Sequence, residues 1–332
     1  DLYMKKILAV GITTLLAIAA LIAGCQKSKE ETKQPKIAGI VFQDDQFFRL
    51  IQFGMSDAAK NAGIDLLLAN SMNMPAKEIQ LVNTYIARQV DAIVISPIST
   101  TASAAALKRA SDKGIKIITY NSTIEGDIPS VYIESDQGDL GAQSGKVAKK
   151  YIEDKLNGKA KVAIIAFKSQ VPEQSDARTN GFKKEITALP GVEIVAEQDA
   201  WLAEMAIKKV GDIITANQNV DIIWAANEGG TVGAVMAVKN AGKGRKIAVF
   251  GTDTSEQLIS FLLSEDNILQ AITGQRPFEI GTIAIESALK VLKGETVDRK
   301  ISMAGVLLSR DDTQGVIAFQ KRLKELVAGD KK

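Results

Sequence analysis

The chain has 332 residues, 46% of them hydrophobic and 24% charged, and 41 basic against 39 acidic side chains leave a net charge of +2. That length carries two lobes of ordinary domain size, the composition is that of a folded body, and the interspersed charges leave no basic arm for nucleic acid. One cysteine and no histidine exclude Cys-His and Ser-His-Asp nucleophiles and the usual zinc and haem ligand sets, so carboxylate-pair catalysis and simple binding remain.

Met4 opens "MKKILAVGITTLLAIAALIAGC". Lys5 and Lys6 give a basic start, an uncharged apolar stretch follows, and Ile22-Ala23-Gly24 brings small residues up to Cys25. The apolar run is short for a membrane span of about 20 residues. The segment resembles a bacterial lipoprotein signal, which implies lipidation of Cys25 and cleavage before it. Residues 1–24 are then a signal peptide, with 1–3 foreign to it. Residues 25–35 are the lipidated cysteine and a linker. "QKSKEETKQPK" is polar and lacks large apolar side chains, as a flexible tether requires.

Beyond the tether, apolar strands alternate with helical stretches. "KIAGIVF", "IDLLLA", "AIVIS", "IKIITY" and "SVYI" read as strands, with helices expected over 48–62, 75–88 and 100–113. Gly63 and Gly114 stand where helices should stop. After a long helical stretch over 138–156 comes a second series, "KVAIIAF", "VEIVAE", "DIIWAA", "IAVFG" and "LQAIT". Its helices are expected near 175–188, 203–216, 229–241 and 255–263. Strands so continuously apolar are buried on both faces, so the sheets should be parallel with helices on each side. The fold class is therefore α/β, with two doubly wound lobes.

In such sheets ligands bind beyond the carboxyl ends of the strands. The first lobe's tips carry Asp44, Asp45, Gln46, Phe47 and Phe48, then Asn70, Ser71 and Ser96, and finally Asn121 with Ser122. The second lobe's tips carry a loop over 168–178, then Trp201, Asn227, Asp253, Gln275 and Arg276. They are rich in acids, amides and aromatics, and they lack a phosphate-cradling glycine loop. Two of the acids have a plain structural alternative as helix caps, Asp45 before the first helix and Asp253 before a later one.

"NSMNMPAKEIQLVNTYIARQVDAIVISP", "DARTNGF", "AANEGGTVGAV" and "VFGTDTS", in this order, resemble the sugar-binding proteins of bacterial ABC importers. The likeness is to the ribose and galactose/glucose branch of the type I periplasmic-binding-protein family, over about residues 36–308. It implies ligand contacts at Asp45, Phe47, Phe48 and Asn121 in the first lobe, and at Arg178, Trp201, Asn227 and Asp253 in the second. Gln275 lies at a crossing between them. It implies three hinge crossings, near 135–137, 273–276 and 303–307. The N-terminal lobe is then 36–135 plus 276–305 and the C-terminal lobe 136–275 plus 306–332.

The residue types suit a sugar. Asp45 and Asp253 accept hydroxyl protons, Arg178 offers a planar donor fork, and Asn121, Asn227 and Gln275 donate and accept. Aromatic rings cover the C–H faces. The pattern departs from both branches. Asn121-Ser122 stands where ribose-binding relatives carry Asp-Arg, and "SQVPEQSDAR" lacks the His and Asp that glucose/galactose types bring before the arginine. No calcium loop is found, so neither metal nor cofactor is expected. The expected ligand is a neutral monosaccharide or a cyclitol. The expected protein is an extracytoplasmic monomer, anchored to the bacterial membrane through lipid on Cys25, that hands its ligand to an ABC permease. A chemoreceptor or sensor kinase is the alternative partner.

Rival readings are weaker. Gly229, Gly230 and Gly233 lack the first spacing of a dinucleotide fingerprint. A glycosidase using Asp45 and Asp253 is chemically conceivable. Sugar-responsive repressors share the two-lobed body, but they carry a helix-turn-helix where this chain has its leader and tether.

Overall fold

The computed structural model describes residues 34–244 and 246–328. Cys25 and the leader lie outside them. β1 (Lys36–Val41), β2 (Asp65–Asn70), β3 (Ala92–Ile95), β4 (Lys116–Tyr120), β5 (Val131–Ser135) and β11 (Lys300–Met303) form a parallel sheet in the order β11-β5-β4-β3-β1-β2. β6 (Lys159–Ala166), β7 (Gly191–Asp199), β8 (Ile222–Ala225), β9 (Ala248–Thr252), β10 (Leu269–Gly274) and β12 (Val306–Ser309) form the second, ordered β12-β10-β9-β8-β6-β7. Here β12 runs antiparallel to β10. Each sheet has the doubly wound 2-1-3-4-5 order plus one edge strand from the C-terminal part of the chain. β3 and β8 are buried along their whole length, and an apolar core covers each face of each sheet.

The helices start where local chemistry lets them. In α1 (Gln46–Ala62) the Asp45 carboxylate accepts from Phe48 N at 3.0 Å, so the helix opens before the expected Phe48. Gly63, at φ 64°, ends it with the left-handed cap that glycine adopts without strain. Proline opens α2 (Pro75–Ala87), α5 (Pro172–Ile186) and α9 (Pro277–Leu292), a position where its missing N–H costs nothing. The remaining helices are α3 (Ala102–Asp112), α4 (Gln137–Lys155), α6 (Ala203–Ala216), α7 (Glu228–Asn240), α8 (Glu256–Leu263) and α10 (Thr313–Ala328). Among the described residues no helix is long and apolar enough to cross a membrane.

Glycines let several helices touch backbone to backbone. A Cβ at Gly54 of α1 would lie 1.9 Å from the Phe278 carbonyl oxygen of α9, and one at Gly281 would lie 2.0 Å from that of Ile51. In the second lobe a Cβ at Gly141 of α4 would lie 1.8 Å from the Arg178 oxygen of α5, and one at Gly181 would lie 2.1 Å from that of Gly138. These contacts fix α5, and with it Arg178, against the start of α4.

The chain leaves the first sheet after β5, returns to it after β10 through α9, and leaves again between β11 and β12. The connections are bonded to one another. Gly305 N donates to Asp139 at 2.9 Å, Gln143 Nε2 donates to the Gly305 oxygen at 3.2 Å, and Arg276 Nε donates to the Ala304 oxygen at 3.1 Å. Beside them, Val316 and Leu323 of α10 pack in one core cluster with Leu50 of α1 and Leu258 of α8. The last helix therefore touches both lobes.

Candidate functional site

In a 2-1-3-4-5 sheet the ligand crevice opens between the carboxyl ends of strands 1 and 3. In this chain those ends belong to β1 and β3 in one lobe and to β6 and β8 in the other. Asp45 follows β1, the α5 loop follows β6, and Asn227 and Glu228 follow β8. A cavity of about 400 Å³ is lined from the first lobe by Asp45, Gln46, Phe47 and Phe278, and from the second by Glu228, Asp253 and Ser255, with Gln275 and Arg276 at the crossing. Phe319 and Arg322 of α10 line it as well.

Asp253 is the centre of the polar wall. Arg178 Nη1 donates to both its oxygens at 3.2 Å, Glu228 N donates at 3.1 Å, and Gln275 Nε2 donates at 3.3 Å. Arg178 is buried, with 3% of its surface exposed. It also donates to the Ala226 oxygen and, through Nε, to Gln137 at 2.7 Å, and its guanidinium lies 5.1 Å from the Phe167 ring centre. Much of the donor fork expected to face ligand therefore holds the protein's own acceptors. Gln275 in turn accepts from the Ser135 hydroxyl at 2.8 Å, so the network reaches the end of β5 in the opposite lobe.

Asn121 and Asp253 occupy equivalent positions, just after the fourth strand of each lobe. Both are left-handed, at φ 60° and 71°, a conformation that Asn and Asp tolerate better than other side chains. Both backbone N–H groups donate at 2.8 Å to the fifth strand, to Ile133 O and Thr273 O respectively. The shared left-handed turn stands at the carboxyl end of each fourth strand, the end at which ligands bind in such sheets.

The structure brings Asp45, Phe47, Asp253 and Gln275 onto one cavity, with Arg178 behind Asp253. Asn227 caps α7, accepting from Gly230 N at 3.1 Å and donating to the Trp201 oxygen at 2.8 Å, and half-buried Trp201 packs against the second lobe's core. Asn121 is grouped with Ser96 and Ser122 and donates to the Ser96 hydroxyl at 3.4 Å. Phe48 departs from expectation. It is 3% exposed in the first lobe's core and packs 4.5 Å from Phe42 and edge-on to Phe47 at 5.2 Å. Neighbouring helical residues point about 100° apart, so only one of the pair faces the cleft, and that one is Phe47. Asp45 both caps its helix and lines the cavity. Asp253 does not cap the helix that follows it, since Ser255 does that for α8.

Sequence reasoning passed over Glu228, although it stands directly after Asn227 at a strand tip. Desolvation pushes its pKa up, a Ser255 hydrogen bond opposes the shift, and the negative charges of Asp253 and Asp45 add to it. Ser135 and Gln137 were expected only as part of a hinge crossing; their bonds to Gln275 and Arg178 join residues far apart in sequence and were not read from it.

A sequence family described as the periplasmic binding protein domain matches residues 40–296. The ABC transporter periplasmic-binding protein YphF of Escherichia coli is 29% identical over 294 residues, covering 86% of this chain and 89% of that protein. The ribose import binding protein RbsB of the same organism is 29% identical over 305 residues, covering 90% and 96%. The crystal structure of an ABC transporter periplasmic solute binding protein from Actinobacillus succinogenes with bound D-allose superposes with a TM-score of 0.74 at 27% identity, covering 85% of this chain and all of that one. With its paired doubly wound sheets and this match along most of its length, the chain belongs to the periplasmic-binding-protein family.

Proposed function

We propose that this solute-binding protein captures a monosaccharide or a cyclitol by hinge closure and delivers it to an ABC permease, with no bond made or broken. The observation that carries the reading is one cavity walled by Asp45 and Phe47 from one lobe and by Asp253 and Gln275 from the other. Carboxylates and amides pair hydroxyls, and the aromatic ring covers carbon. The bodies that move are residues 36–135 with 276–305 and residues 136–275 with 306–332. Ligand bridging both walls binds the closed form more tightly and so shifts the population toward it. Sealing a polyol from water requires its hydroxyls to be paired, which is how an epimer is rejected. Asn121, Trp201 and Asn227 join the contacts on closure.

Thermal unfolding of the protein with pentoses, hexoses and cyclitols tests this. Ligand at a hundredfold excess over Kd stabilises by about 2.7 kcal/mol, so a saturable rise in Tm with one or a few of these compounds is expected. No rise with any of them would overturn the reading. We propose further that lipid on Cys25 tethers the protein outside the cytoplasmic membrane. Replacing Cys25 by serine should move the protein from the membrane fraction to the soluble one.

A further inference from the structure

Glu228 is the cleft residue that sugar capture leaves without a task. It opens α7 on the second wall and shares the cavity with Asp45 of the first. Asp253 has a counter-ion in Arg178. Among the described residues neither Asp45 nor Glu228 forms an ion pair, and the donors on Asp45 are the neutral Gln43 amide and the Phe48 N–H. Of the other charges on the cavity, Glu279 is also acidic. Arg276 is turned to the Ala304 and Gly305 oxygens, and Arg322 lies 5.7 Å from the Phe278 ring centre. The cavity makes the site, and the two carboxylates without an ion-pair partner, one on each wall, set the charge they favour in a ligand.

We infer that Glu228 and Asp45, one on each wall, select a ligand bearing an ammonium group, an amino-substituted monosaccharide or cyclitol over its neutral parent. This rests on the cleft being the ligand site proposed above. An ammonium gives charge-assisted bonds to both carboxylates, and Phe47 adds a ring face that attracts cations. Among the described residues no group of three or more such side chains is placed to hold a metal ion, which favours an organic cation. The charge also couples to closure. Shutting the empty cleft brings together two carboxylates that have no ion-pair partner, which like charges resist. A cation between them reverses the sign, so closure is favoured only when the right ligand is present. Protonation of Glu228 as pH falls weakens the preference; Asp253, Asp45, Glu279, Arg178, Arg276 and Arg322 are the charges surrounding it.

Titration calorimetry of the full-length protein at pH 7 with matched pairs is the test: 2-amino-2-deoxyglucose and glucose, 2-amino-2-deoxygalactose and galactose, an amino-inositol and myo-inositol. In at least one pair the amino member should bind about tenfold tighter, and the margin should shrink with added salt. Glu228→Gln should abolish it. Asp45→Asn, which keeps a helix cap, should reduce it. Neutral members binding as tightly in every pair, or a preference that survives E228Q, would overturn the inference and leave sugar capture standing. No binding by either member of any pair would overturn both.

Discussion

Arg178 and Asp253 show what a buried charge pair demands of its surroundings. The guanidinium is held at both ends, by Gln137 and by Asp253, and is nearly sealed from water. Removing it strands a carboxylate that has lost its cation. Arg178→Ala should therefore destabilise the fold by about 3 kcal/mol, read in chemical denaturation, and should abolish ligand binding. A loss below about 1 kcal/mol would mean that the pair is idle. Glu228 gives the opposite case. Its pKa is raised above the ordinary 4.5, so the folded state holds its proton more tightly. The associated stability is present below pH 4.5 and is lost as pH rises through the folded value. Glu228→Gln should thus raise Tm relative to wild type at pH 7 to 8, with the gap closing below about pH 4.5; a gap that is constant with pH would contradict the assignment. At this scale the sequence was most legible where position alone decides. Asp253, Asp45 and Gln275 follow strands whose ends must meet at the cleft. Phe48 was not legible, since an adjacent pair of aromatics does not say which ring turns inward.

Among the elements, the glycine contacts set how closely helices can seat. Gly141 and Gly181 bring α4 and α5 together as Gly54 and Gly281 do α1 and α9. Gly141→Ala sets a methyl against the Arg178 backbone and should cost about 1–3 kcal/mol, while displacing the arginine enough to weaken ligand binding. Gly211→Ala in α6, where a Cβ meets nothing within 4 Å, should instead stabilise by about 0.5–1 kcal/mol through helix propensity. Equal effects in denaturant titrations would contradict the packing described. Continuous apolar runs made ten strands readable. β11 and β12 were missed because "KISM" and "VLLS" are short, partly exposed edge strands whose pairing depends on partners far away in sequence.

For the molecule as a whole, the two lobes share the pattern 2-1-3-4-5 with no evident sequence duplication, and their connections all lie toward one side. β2 and β7 are the outer edges away from β11 and β12, so bending at the connections moves them most. Met72, after β2, and Leu202, after β7, are 63% and 38% exposed and accept spin labels without disturbing a core. Pulsed dipolar spectroscopy on Met72→Cys/Leu202→Cys, with Cys25 replaced by serine, measures the gap between the walls directly. The gap should shorten when the sugar or cyclitol that raises Tm is added to saturation, and Asp253→Ala should prevent the change. A label distance unmoved by saturating ligand would contradict capture by closure.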